Sequence, residues 1–140
     1  MTLTVENASL VNWTAFSQAR TELGANFVRI LGYFREDGVK SVEAIETAMR
    51  AQAAAALVIP AHTLKGEARQ FGADPLADLA ESIEVIARTS VETHDAPDEA
   101  LAHVVQLRPL FERTLALLEQ EANPLVPRRP ASGFGRRAAG

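Results

Sequence analysis

The sequence predicts an all-α fold: an antiparallel up-and-down four-helix bundle with a short extra N-terminal helix. Three observations point there. Apolar residues recur at i, i+3, i+4 and i+7 through successive segments of the chain. No stretch alternates apolar and polar residues as a half-buried strand would, and no hairpin turn stands between two such stretches. Gly, Pro and Asx residues punctuate the chain at helix-length intervals.

The elements follow in order. Asn12 is placed to cap a short first helix that packs through Trp13, Phe16 and Ala19. Residues 21–36 carry Leu23, Phe27, Ile30, Leu31 and Phe34 at helical spacing, and Asp37-Gly38 is expected to stop that helix. A further helix is expected from Ser41, as N-cap, with Val42, Ile45, Met49 and Ala53 on its inner face. The next, 54–72, contains Pro60, which removes one backbone hydrogen bond and is expected to bend it. Gly72 closes that helix, and Asp74-Pro75 opens another with an Asp cap and Pro at the first position. Leu76, Leu79, Ala80, Ile83, Ile86 and Ala87 make a full apolar stripe along 74–91. A last helix spans about 96–120, with Leu101, Val104, Val105, Phe111, Leu115 and Leu118 inward and a kink expected at Pro109.

Two segments are expected: a helical bundle domain over 1–123 and a basic Pro/Gly/Arg-rich tail over 124–140. The chain of 140 residues is 47% hydrophobic and 23% charged, ordinary for one soluble domain with a single core. All 18 acidic residues and 10 of the 14 basic ones lie in 1–123, which leaves that part at −8. The tail holds Arg128, Arg129, Arg136 and Arg137 and no acid, hence +4. An acidic body does not favour nucleic acid as a partner. Cysteine is absent, which removes disulfides, thiolate catalysis and cysteine metal sites and fits a cytoplasmic location. Met1–Leu10 has neither the basic nor the apolar region of a secretory signal. The apolar run 53–61 falls far short of the roughly 20 residues a membrane span needs.

Several chemistries drop out. There is no Gly-rich phosphate loop, and neither His-x-x-x-His nor Glu-x-x-His spacing to supply a metal site in the bundle. No ATP-binding domain fits beside the bundle, so an autokinase is not expected. His94, in a loop, and His103, on the last helix, read as surface or structural residues. What remains is the stretch from Ala61 to Ala73. As a helix it separates into a core side, Leu64, Ala68 and Phe71, and an opposite side that gathers His62, Lys65, Gly66 and Arg69. Neutral imidazole, with an unperturbed pKa of about 6.5, is a competent nucleophile near neutral pH. Phosphoryl transfer asks for positioning and for cations on the equatorial oxygens, and Lys65 sits one turn from His62. Gly66 costs about 1 kcal/mol in a helix interior relative to Ala, and leaves space beside the imidazole.

His62-x-Leu64-Lys65-Gly66, with Ala68, Gly72, Ala73, Leu76, Leu79 and Ile83-Glu84 in register, resembles the motif of histidine-containing phosphotransfer (HPt) domains. The resemblance covers about residues 10–120, with its specific part confined to 61–84. It implies a four-helix bundle with an exposed histidine. His62 would accept a phosphoryl group on Nε2 from a receiver-domain aspartyl phosphate and pass it to another receiver. Lys65 would hold the phosphate, Gly66 would admit the receiver, and Glu84 would hydrogen-bond the other imidazole nitrogen. The implied partners are response-regulator receiver domains and a hybrid histidine kinase. The protein itself would be a monomeric, stoichiometric carrier with no cofactor, Mg²⁺ belonging to the receiver. Arg69 departs from the pattern, which often has Gly there; it is expected to add a phosphate or receiver contact, or to reach into solvent. Glu67 is expected on the surface. The rival readings are a helical adaptor that binds a receiver or partner helix without chemistry, and the dimerising half of a split kinase.

Overall fold

The computed structural model describes residues 10–122, and among them the chain is helical with no strand. The expected tail and the first nine residues lie outside the described part. The helices are α1 (Trp13–Leu23), α2 (Phe27–Arg50), α3 (Ala54–Gln70), α4 (Asp74–Thr93) and α5 (Leu101–Ala122). Short 3₁₀ turns, Gly24–Asn26 and Asp98–Ala100, precede α2 and α5. The all-α expectation holds: α2 to α5 run up and down as a four-helix bundle, and α1 lies across one end.

The break expected at Asp37-Gly38 does not occur. With it, the periodic segments after α1 would number five, one more than this bundle accommodates. Instead α2 runs unbroken through both residues, and Ser41, expected as an N-cap, is buried in mid-helix. The reason is packing. A Cβ on Gly38 would fall within clashing distance of the Phe111 ring, so the missing side chain lets α5 approach α2 closely. Bidentate pairs fix the antiparallel register of the same two helices. Arg35 meets Glu119 at 2.7 Å through both nitrogens, and Arg108 meets Glu46 at 2.8 and 3.0 Å.

Asn12 does cap α1, its side-chain oxygen accepting from the Ala15 amide at 3.1 Å. Both helices with an internal proline continue through it, Pro60 in α3 and Pro109 in α5. The residue before α4 is Ala73, without a side-chain cap, so Asp74 is the helix's first residue and not its cap. There its charge still complements the positive end of the helix. On α5 the inward stripe is Val104, Leu107, Phe111, Thr114, Leu115 and Leu118, whereas Leu101 and Val105 are exposed. Those two belong to the adjacent flank of the helix, one position off the stripe that α2 and α4 cover.

The core fills with Leu57, Leu64, Leu76, Ile83, Leu107 and Leu118, all fully buried. Each contributes about 1.5–3 kcal/mol relative to exposure. A relay of aromatic rings crosses from α1 to α5, Phe16–Phe27–Phe71–Phe34–Phe111, with centroids 5.3–5.9 Å apart. Phe71 is the C-cap of α3, and its anchoring holds the exit of the helix that carries the candidate site.

Glu67 is half-buried against α2, not the surface residue its position suggested. Burial, and then hydrogen bonding and charge repulsion from Asp37, push its carboxyl up to about 7. A carboxyl that holds its proton more tightly folded than unfolded adds stability below its unfolded value, near 4.5. That contribution is lost as pH rises through about 7. Solvent on one side damps the effect. Glu67→Gln is therefore expected to raise stability at pH 8 by about 1 kcal/mol, with little gain at pH 4.5. Thermal melts at the two pH values check it; a gain independent of pH would remove the carboxyl pair as its cause.

Candidate functional site

The site is built by the α3–α4 hairpin. The turn between the helices is only Phe71–Ala73, so they must lie antiparallel and adjacent. Gly72 takes φ +77°, a left-handed conformation that side chains disfavour, and its carbonyl accepts the Asn12 amide at 2.7 Å. A Cβ there would press on the Asn12 carbonyl. The start of α1 is thereby pinned to the hairpin turn. Residues equidistant from Ala73 face each other across the seam, which sets His62 against Glu84 in register and leaves Arg69 and Asp78 one position off it.

The side chains use that register. His62 projects outward with its side chain 59% exposed, while Glu84 opposite is buried, 6% exposed. His62 Nδ1 lies 3.0 Å from Glu84 Oε2. Glu84 Oε1 lies 2.9 Å from Lys65 Nζ, and Arg88 reaches Oε2 through Nε at 3.0 Å and Nη2 at 2.8 Å. Burial raises the Glu84 carboxyl, but bonds from Lys65, Arg88 and His62 outweigh it and hold the group down at about 2. Glu84 is therefore ionised at neutral pH and can only accept. The proton between it and the imidazole belongs to Nδ1, and Nε2 is the nitrogen left for an incoming group.

The space in front of Nε2 is open. A Cβ built on Gly66 meets nothing within 4 Å, so among the described residues the glycine serves no packing need. Ile59, one turn before His62, is an exposed apolar residue on the same side of α3. Arg69 neither reaches the imidazole nor trails into solvent. Its Nη2 is held by Asp78 at 3.0 Å and Glu81 at 2.9 Å, which ties α3 to α4 beside the site. His94 and His103 stand away from this cluster; His94 ends α4 with φ +61°.

Arg88 is the member that sequence reasoning passed over. Its signal was available: it follows Glu84 by four residues, the spacing at which a Glu and an Arg meet on a helix surface. The partners of Arg69 were legible only once the hairpin pivot was known, because Asp78 and Glu81 look like ordinary solvent-facing acids.

A buried carboxylate that clamps an exposed imidazole through one nitrogen, with two cations on the same carboxylate, suits a nucleophile for phosphoryl groups. The comparisons agree with that family of chemistry. The family model described as "Hpt domain" matches residues 29–122. The crystal structure of histidine-containing phosphotransfer protein B (HptB) from Pseudomonas aeruginosa PAO1 superposes with a TM-score of 0.73 at 24% sequence identity. That match covers 81% of this chain and 95% of the other, and it shows a shared fold. No curated protein matches the chain. With a family match running from α2 to the end of α5, this chain belongs to the Hpt domain family.

Proposed function

We propose that the protein is a phosphocarrier of a two-component phosphorelay, with His62 as phosphoacceptor. The observation that carries the reading is the split environment of the imidazole: Nδ1 bonded to buried Glu84 and the remainder of the ring exposed. In the forward step, Nε2 attacks the phosphorus of a receiver's aspartyl phosphate. The N–P bond forms, the acyl P–O bond breaks, and the aspartate carboxylate leaves with the electron pair. Nδ1 keeps its proton on Glu84, so the ring becomes a phosphoimidazolium and remains a good leaving group for the next receiver. Lys65 neutralises charge on the phosphoryl oxygens. Gly66 admits the receiver's surface, and Arg69, with Asp78 and Glu81, lies where that surface would meet α3 and α4.

The partners are response-regulator receivers and a hybrid histidine kinase, and Mg²⁺ enters only with the receiver. The reading takes the carrier as monomeric, cytoplasmic and stoichiometric; among the described residues no helix is long and apolar enough to cross a membrane.

Incubation with a phosphorylated receiver should place acid-labile, alkali-stable phosphate on the wild type and none on His62→Gln. Persistence of that label in His62→Gln would assign the chemistry elsewhere. A wild type that binds a receiver as tightly as His62→Ala does, yet takes no label from any receiver of its genome, is the result a non-catalytic adaptor predicts.

A further inference from the structure

Arg69 shares a face of α3 with His62 and Gly66, nearly two turns from the imidazole. At 1.5 Å per residue that is about 10 Å along the helix. Even a transient protein–protein interface covers about 600 Å² on each partner, a disc of roughly 14 Å radius. A receiver centred on Nε2 of His62 therefore covers Arg69 and the two carboxylates that hold it, Asp78 and Glu81. Their side chains are 43%, 69% and 47% exposed, so all three present polar atoms at the surface.

Charge divides this face in two. Around His62, Lys65 and Arg88 oppose one carboxylate, Glu84, which leaves one positive charge for a phosphoryl group. Nearly two turns on, Arg69 opposes two carboxylates, which leaves one negative charge. Both bonds run from Nη2, to Asp78 Oδ1 at 3.0 Å and Glu81 Oε1 at 2.9 Å. The guanidinium thus lies across the seam toward α4, and the surface beside Gly66 stays low enough for a partner to approach. Clamping two helices takes one carboxylate; the second turns the rim acidic. We propose that Arg69, Asp78 and Glu81 form a partner-selecting triad. It favours receivers that carry a Lys or Arg about 10 Å from the aspartyl phosphate and disfavours those with an acid there. The proposal rests on His62 being the phosphoacceptor. Rim charges act on encounter and on the rejection of wrong partners, so the triad ranks receivers and leaves the transfer step to the groups around the imidazole.

The test uses the full chain and the purified receiver domains of its own genome, each phosphorylated with acetyl phosphate and Mg²⁺ and ranked by kcat/KM for transfer to His62. The triad's charge is then changed in opposite senses. Asp78→Asn with Glu81→Gln removes two negative charges and should lower kcat/KM of the best receiver about tenfold, through KM. Arg69→Ala removes the positive charge and should raise it about threefold, while receivers with an acid at that place fall further behind. High salt should shrink both effects. A helix clamp predicts otherwise: either change breaks the same two bonds, so both variants lose alike and every receiver shifts by one factor. That result, or no change in either variant, overturns the proposal with phosphotransfer standing. A wild type labelled by phosphoramidate, a small donor that needs no docking, but by no receiver leaves the triad nothing to rank and overturns it as well. If the wild type takes no label from phosphoramidate or any receiver, the phosphoacceptor reading fails and this one with it.

Discussion

Glu84→Ala is expected to slow phosphoryl transfer through His62 by about 10- to 100-fold, by analogy with the loss when a group that orients a metal-binding histidine is removed. The carboxylate does two jobs at once. It keeps the proton on Nδ1, which leaves Nε2 as the nucleophile, and it fixes a ring that is otherwise 59% exposed and free to rotate. Glu84→Gln separates them: an amide oxygen can still accept from Nδ1, but without charge, so about tenfold of the loss should return. Transfer rates of the two variants from one phosphorylated receiver check this; equal rates in wild type and Glu84→Ala would remove Glu84 from the mechanism.

The same residue gives a stability signature. Its carboxyl is held at about 2, below an unfolded value near 4.5, so its contribution is complete above 4.5 and disappears as pH falls toward 2. The full shift corresponds to about 3 kcal/mol, an upper figure because Arg88 is partly solvated. Acid unfolding of Glu84→Gln should accordingly be shallower than that of the wild type between pH 4.5 and 2, which denaturant titrations at fixed pH would show.

Gly38→Ala is expected to destabilise the protein by about 1–3 kcal/mol, opposite in sign to the usual gain of about 1 kcal/mol from replacing a helical glycine. The added methyl group would press into the Phe111 ring and force α5 away from α2. Adding Phe111→Leu to the first change should recover part of the loss, since the two residues share one space and their effects should not add. Circular-dichroism melts of the two single variants and the double variant measure the coupling. A stabilised Gly38→Ala would show that Gly38 is an ordinary helical glycine.

Gly38 also shows where local reading fails. Asp-Gly is a turn signal because both residues tolerate conformations that others avoid. Nothing within a few residues of Gly38 says that a ring from position 111 occupies the volume its side chain would take. The same blindness put Glu67 on the surface, since Asp37 reaches it from another helix. It also counted Leu101 and Val105 in the core, because helical spacing fixes which residues share a face but not how far the neighbours wrap around it. By contrast, the short turn after Gln70 was written in Gly72 and Pro75, and a turn that short allows only one arrangement of two helices.

From the sequence alone came the helical class, the inward faces of α3 and α4, and the cluster His62, Lys65, Gly66 and Glu84. Local spacing decides the class, the faces and the grouping of His62, Lys65 and Gly66, because period 3.6 leaves little freedom, whereas Glu84 came from the resemblance to HPt domains. Only the packed chain decided that α2 is one helix and that Arg69 belongs to Asp78 and Glu81. It alone showed that Arg88 shares an oxygen with His62. Those outcomes depend on which distant side chains compete for one volume or one carboxylate, and that competition exists only after the helices have met.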